Sequence, residues 1–320
     1  MGKYLGAMLT GQVCRSVDTA KAHRAFRDGN DSFEAYKKSC DMDSNAYLLE
    51  QKNFAHSSQG QLDWLDLLRP IAHDFSGFSK GDSAGEDSIG PVTRWYRTNS
   101  FYRKPTIKEK INCVGDELIK SLPKLSGNGV LLILGPYSFA KLVENNHYAD
   151  EKSLALDYAH AVSKNYPSLK SHGYNCILLL EPSIGYDQSN GNYLIENWYL
   201  EAISIFKKDM KIGIHLPLCN ATPIVSHLEK SNADFLGIDA IYTPPEGFKC
   251  KKDILIGIID GARSKKETVE ETLANLKIFL EKSGYSGNYY LGPTDRLYDV
   301  PFAYGLGKIK TLSEIANELK

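Results

Sequence analysis

The chain has no CxxC pair. Its six cysteines, Cys14, Cys40, Cys113, Cys176, Cys219 and Cys250, stand singly along 320 residues. That spacing argues against a disulfide framework and for reduced thiols. Basic excess is also lacking: the formal net charge is -1, so nucleic acid is not an expected partner. No apolar run approaches the roughly 18 residues a membrane helix needs. The opening "KYLGAMLTG" is interrupted too soon, by Gly11, Gln12 and Arg15, for a signal peptide. The expectation is a cytoplasmic protein with no membrane partner. No GxGxxG or GxxxxGK[ST] follows the first apolar run, which weakens a nucleotide-binding reading.

What is present is a recurrence. Short β-rich runs fall at Leu5 to Leu9, Asn53 to Ser57, Val130 to Leu134, Cys176 to Leu180, Ile212 to His215, Phe235 to Asp239, Ile254 to Ile259 and Tyr289 to Gly292. Most are continuously apolar, the pattern of parallel strands buried on both faces. Helical segments separate them, such as "DEKSLALDYAHAVSKNY", "NYLIENWYLEAISIFKKD" and "SKKETVEETLANLKIFLEKSG". The last has Ser264 or Thr268 as N-cap and Gly284 just past its end. Eight strands alternating with helices predict an α/β fold, a (β/α)8 TIM barrel occupying residues 1–320 as one domain. Between strands 2 and 3 lies a long insertion, about 59–121, expected to cover the C-terminal mouth. It holds "FSKGDSAGEDSIGP" and "TRWYRTNSFYRKP".

Barrel enzymes place chemistry at the C-terminal ends of strands, and those ends supply the candidates. Strand 1 runs on to Arg15, and strand 2 to Trp64 and Asp66. Strand 3 leads to Tyr137, strand 4 to Glu181, strand 5 to His215 and then Cys219. Strand 6 ends in Asp239, strand 7 in Asp260, and strand 8 in Thr294, Asp295 and Arg296. Glu181 follows an apolar run, and a carboxylate at the end of a buried strand needs a partner or a function. In the insertion Arg94, Arg97, Arg103 and Lys104 interleave with Trp95, Tyr96, Phe101 and Tyr102. This is either a solvated loop pinned by aromatics or a clamp for a flat anionic ligand.

The blocks "GQLDWLDLLRP", "GPVTRWYRTNSFYRKP", "LLILGPYSFAKL", "LLLEPS" and "IIDGARSKKETVEETLANLKIF" together resemble the cobalamin-independent methionine synthase family, in the order that family shows. The resemblance implies a (β/α)8 barrel, zinc, and methyl transfer from a methylated folate to homocysteine or a related small-molecule thiol. On that pattern His215, Cys219, Asp239 and Asp295 are the metal positions. Glu181 and Asp260 are catalytic, and Trp64, Asp66, Arg94, Trp95, Arg15 and Tyr137 bind substrate. The sequence departs from the pattern: Cys219 is two residues further out than the family's cysteine, Asp239 replaces a glutamate, and no cysteine stands near strand 8. A His/Cys/Asp/Asp set binds a divalent metal more weakly than a thiolate-rich one. "DWLDLLRP" and "TRWYRTNSFYRKP" are closer to the family's N-terminal barrel. The resemblance therefore also implies a second role, a non-catalytic barrel that binds folate or partners a separately encoded catalytic methionine synthase barrel. A uroporphyrinogen-decarboxylase-like enzyme is a third reading, weaker in sequence.

Overall fold

A computed structural model describes residues 2–79, 89–96, 98, 100–113, 119, 122–191, 197–207 and 209–320. In chain order the strands are β1 (Tyr4–Ala7), β2 (Phe75–Phe78), β3 (Val92–Arg94), β4 (Phe101–Arg103), β5 (Thr106–Cys113), β6 (Gly129–Leu134), β7 (Glu144–Asn145), β8 (Tyr174–Leu180), β9 (Lys211–Leu216), β10 (Phe235–Asp239), β11 (Asp253–Ile259) and β12 (Tyr289–Pro293). Seven of them form one sheet in the order β1-β12-β11-β10-β9-β8-β6. Every pairing in it is parallel. Val130 to Leu134 and Ile177 to Leu179 are almost wholly inaccessible, which is why these strands read as unbroken apolar runs.

The eighth position of the barrel is taken by the expected second strand, though not as a regular strand. The Ala55 N–H donates to the Ala7 carbonyl at 2.9 Å, the Ser57 N–H to Asn128 at 2.9 Å, and the Val130 N–H to Ser57 at 2.9 Å. Ser57 and Gly129 form an isolated parallel bridge. Residues 55–57 thus close the sheet between β1 and β6 with a few bonds. The register of β1 slips between Tyr4 and Gly6, and Gly6 has φ +127° with no room for a Cβ beside Ala55. That close, irregular approach is what keeps 53–57 from pairing as a full ladder.

Helices follow the strands as the capping signals lead one to expect. Glu151–Ser163 starts after Asp150, whose carboxylate accepts the Ser153 N–H at 2.7 Å. Val269–Ser283 starts after Thr268, whose hydroxyl accepts the Glu271 N–H at 3.1 Å, and stops at Gly284 with φ +65°. Thr268, not Ser264, is the cap. The helix expected around "NYLIENWYLEAISIFKKD" is described as Asn197–Phe206; within that run 192–196 and 208 lie outside the described residues.

Within 59–121 the chain forms the short helix Arg69–Asp74 and the hairpin β3–β4, while β2 and β5 join β7 in a separate three-stranded sheet. Residues 80–88, together with Arg97 and Asn99, lie outside the described residues. The hairpin leans on the C-terminal ends of the barrel strands. The Tyr96 hydroxyl is 2.6 Å from the Ser183 hydroxyl, and Ser100 donates to Asp299 at 2.7 Å. No helix among the described residues is long and apolar enough to cross a membrane.

Candidate functional site

At the C-terminal mouth lies a cavity of about 130 Å³. The insertion contributes Leu67, Trp95, Tyr96 and Thr98 to its wall. The segment after β8 contributes Pro182, Gly185, Tyr186 and Ser189, the turn after β9 contributes Pro217 and Leu218, and the segment after β12 contributes Asp295 and Arg296. The Arg296 guanidinium sits 5.0 Å from the Trp95 ring centroid and pairs with Asp299 at 3.1 Å. Trp95 meets Tyr96 and Tyr102 edge-on, at 5.3 and 5.5 Å, and Tyr96 meets Tyr186 at 5.0 Å. Aromatic faces beside a guanidinium and a carboxylate suit a flat, polar-edged ring. Burial pushes the Asp295 carboxyl upward, against the pull of the neighbouring Arg296.

Of the residues expected to act here, Trp95 and Asp295 line the cavity. The metal positions do not converge. His215 is fully buried on β9, and its Nε2 lies 2.8 Å from the Thr294 carbonyl. A carbonyl only accepts, so Nε2 carries the proton and is no metal ligand. The Nδ1 edge is closed by Gly237, where an added Cβ would stand 2.5 Å away. Burial lowers the His215 pKa to about 4. Asp239 ends β10, fully buried, with both carboxylate oxygens on backbone amides; burial pushes it up to about 7 against those bonds. Cys219 is buried against Gly185, its thiol pushed up to about 12 by burial and by Asp239. Such a thiol is a poor thiolate ligand. Among the described residues no group of three or more His, Cys, Asp or Glu is placed to hold a metal ion. The donor set does not fit the zinc that the sequence resemblance implied.

The other expected residues are placed differently from what position alone implied. Glu181 is fully buried, and its two oxygens accept the N–H groups of Tyr137 and Ser138 at 3.2 and 2.7 Å. It caps helix Pro136–Leu142, whose own N-cap Gly135 has no side chain to do so. Burial pushes Glu181 up to about 7, opposed by the bonds from Ser138 and Tyr137. Its neighbours Leu180 and Pro182 line the cavity; Glu181 does not. The Tyr137 hydroxyl is spent on Asp187 at 2.5 Å. Asp66 accepts the N–H groups of Leu68, Arg69 and Arg103 and the Arg69 guanidinium. Trp64 is buried core, its carbonyl taken by Gln12 at 2.7 Å. Arg15 holds the Leu62 carbonyl at 2.6 Å. Arg94 is exposed over Phe101. Asp260 turns its own loop, accepting the Ala262 N–H at 2.9 Å, and faces a separate groove. Tyr96, Tyr186, Leu218 and Arg296 also line the cavity. Arg296 was signalled by its place at a strand end and Tyr96 by its place beside Trp95; nothing in the sequence singles out Tyr186 or Leu218.

The model of a family described as cobalamin-independent synthase, N-terminal domain, matches residues 78–284. The methionine synthase of Sulfurisphaera tokodaii is 29% identical over 210 residues, covering 62% of this chain and 60% of the relative. That of Sulfolobus acidocaldarius is 26% identical over 235 residues, covering 70% and 65%. The chain thus spans less than two thirds of the length of these curated relatives. A B12-independent methionine synthase from Shewanella sp. W3-18-1, solved in complex with selenomethionine, superposes with a TM-score of 0.75 at 16% identity, over 98% of this chain and 97% of that one. A putative vitamin-B12-independent methionine synthase from Listeria monocytogenes gives 0.71 at 16% identity, over 100% and 99%. These structures share the barrel fold. The match over residues 78–284 places the chain in the cobalamin-independent methionine synthase family, on the side of its N-terminal domain.

Proposed function

We propose that this barrel serves methionine formation by binding the methyl donor, a methylated folate, at its mouth, while a separately encoded catalytic barrel holds the homocysteine thiol. The observation that carries this reading is a division within the mouth. The cavity wall is aromatic and cationic, with Trp95, Tyr96, Tyr186 and Arg296, whereas His215, Cys219 and Asp239 are each engaged with protein backbone or packing. A pterin-type ring suits the first set through stacking and a guanidinium contact. Thiol activation needs a metal-held thiolate, which the second set does not provide. The family's N-terminal-domain match and the relatives named methionine synthase point the same way.

The reading is tested by assaying methyl transfer from 5-methyltetrahydrofolate to homocysteine with this chain alone, in buffer containing added zinc, and again after mixing with a catalytic methionine synthase barrel. No turnover alone and a raised rate on mixing is the expected result. Turnover by the chain alone that rises with zinc would replace this proposal with a self-sufficient methyltransferase.

A further inference from the structure

Asp239 stands where the family pattern leads one to expect a metal ligand, and its surroundings do not suit a cation, so its burial needs another explanation. Its Oδ2 accepts the Leu218 N–H at 3.2 Å, and its Oδ1 accepts those of Ile241 at 2.9 Å and Tyr242 at 3.2 Å. One buried carboxylate therefore ties together the turns after β9 and β10. Leu218 is the residue that needs such a tie. Its φ is +56°, a left-handed conformation that leucine rarely adopts. It is 39% exposed and forms part of the cavity wall beside Pro217.

We infer that Asp239 is a positioning residue whose carboxylate holds the Pro217–Leu218 turn in its left-handed form and thereby shapes the ring-binding wall of the mouth cavity. The inference rests on the donor-binding reading for the identity of the ring, but the clamp itself is a statement about the chain. With the carboxylate in place, Leu218 is fixed over the cavity and Cys219 is drawn inward, where it packs at 4% exposure against Gly185. Without it the strained φ has no compensating bond and the turn relaxes. That swings Leu218 off the wall and uncovers the Cys219 thiol.

Iodoacetamide labelling read by mass spectrometry tests this, with 5-methyltetrahydrofolate titrated in parallel. Asp239→Asn keeps the side-chain volume but sets an NH2 group where one acceptor was. Cys219 in this variant should be labelled roughly tenfold faster, and the Kd for 5-methyltetrahydrofolate should rise roughly tenfold, the effect of losing one charge-assisted hydrogen bond. Cys176, inaccessible within β8, should stay unlabelled and so report an intact barrel. Adding Leu218→Asn, a residue at ease with positive φ, should return Cys219 labelling towards the wild-type rate. Unchanged Cys219 labelling in Asp239→Asn, or no rescue by Leu218→Asn, overturns the clamp. If Cys176 is labelled too, the variant has unfolded, and amide exchange on the unaltered chain decides. Protected Leu218, Ile241 and Tyr242 amides uphold the clamp, and exchange at free-loop rates overturns it. Altered labelling in a chain that never bound 5-methyltetrahydrofolate leaves the clamp standing and removes the donor-binding reading.

Discussion

Single buried carboxylates at strand ends do more in this barrel than their position advertises. Glu181, with no cationic partner among the described residues, caps helix Pro136–Leu142, and burial pushes it up to about 7. In the folded chain it takes up a proton at higher pH than in the unfolded chain, whose value is 4.5. Its stabilising effect is complete below 4.5 and is lost as pH rises through 7. His56 and His215 act in the opposite sense: burial lowers both to about 4 from 6.5, so their contribution is present above 6.5 and is lost as pH falls through 4. Between pH 7 and 5 the two effects oppose one another. Glu181→Gln removes one of them. Urea unfolding at pH 7.5 and pH 5 should show the variant losing about 2 kcal/mol more than the wild type over that interval. An identical loss in both proteins would mean that Glu181 is ionised throughout. The same residue explains a limit on sequence reading. Being a carboxylate after four apolar residues marks Glu181 as important, but not as a cap; that depends on Gly135 lacking a side chain and on the amides of Tyr137 and Ser138, which open the helix following the neighbouring strand β6.

Elements at the mouth are tied together by buried ionic and polar contacts rather than by regular structure. The last helix, Phe302–Glu318, carries Lys308 with its side chain wholly buried, and the Lys308 ammonium reaches both oxygens of Glu267 at 3.0 and 2.8 Å. Glu267 in turn accepts the Asp260 N–H at 3.0 Å. The pair therefore fastens the loop after β11 to the closing helix. Lys308→Met leaves the Glu267 carboxylate without its cation and should destabilise the chain by about 3–5 kcal/mol. Lys308→Met with Glu267→Leu should recover most of that in thermal or urea unfolding, since replacing both partners avoids a stranded charge. A double variant no better than the single one would show that the loop geometry, not the charge pairing, is what matters. At this scale the sequence is most legible for strands. Val130 to Leu134, Cys176 to Leu180 and Ile254 to Ile259 are recognisable because two buried faces demand continuous apolar residues. The second strand is legible only in part, since its pairing depends on how closely Gly6 lets Ala55 approach. The separate sheet formed by β2, β5 and β7 has no such signature: of the eight residues of β5 only Ile107 and Ile111 are buried, and β7 has two residues.

For the whole molecule, a barrel built to the family plan carries an aromatic- and arginine-walled cavity at its mouth, and among the described residues no group of three or more His, Cys, Asp or Glu is placed to hold a metal ion. The mouth was legible in outline, because chemistry in this architecture gathers at strand ends. Its detailed wall was not, because Trp95, Tyr96 and Arg296 meet only after the insertion folds back over β12. Which donors point inward is a matter of side-chain direction that spacing does not convey. His215 and Asp239 both sit at the expected strand ends and both turn to backbone groups instead. The most direct measurement is isothermal titration of the intact chain with 5-methyltetrahydrofolate in buffer containing EDTA, repeated with Arg296→Gln. Saturable binding that is indifferent to the chelator and weakened roughly tenfold by the substitution, as expected for loss of a guanidinium contact, is the predicted result. Absence of binding in EDTA with binding restored by zinc would contradict it.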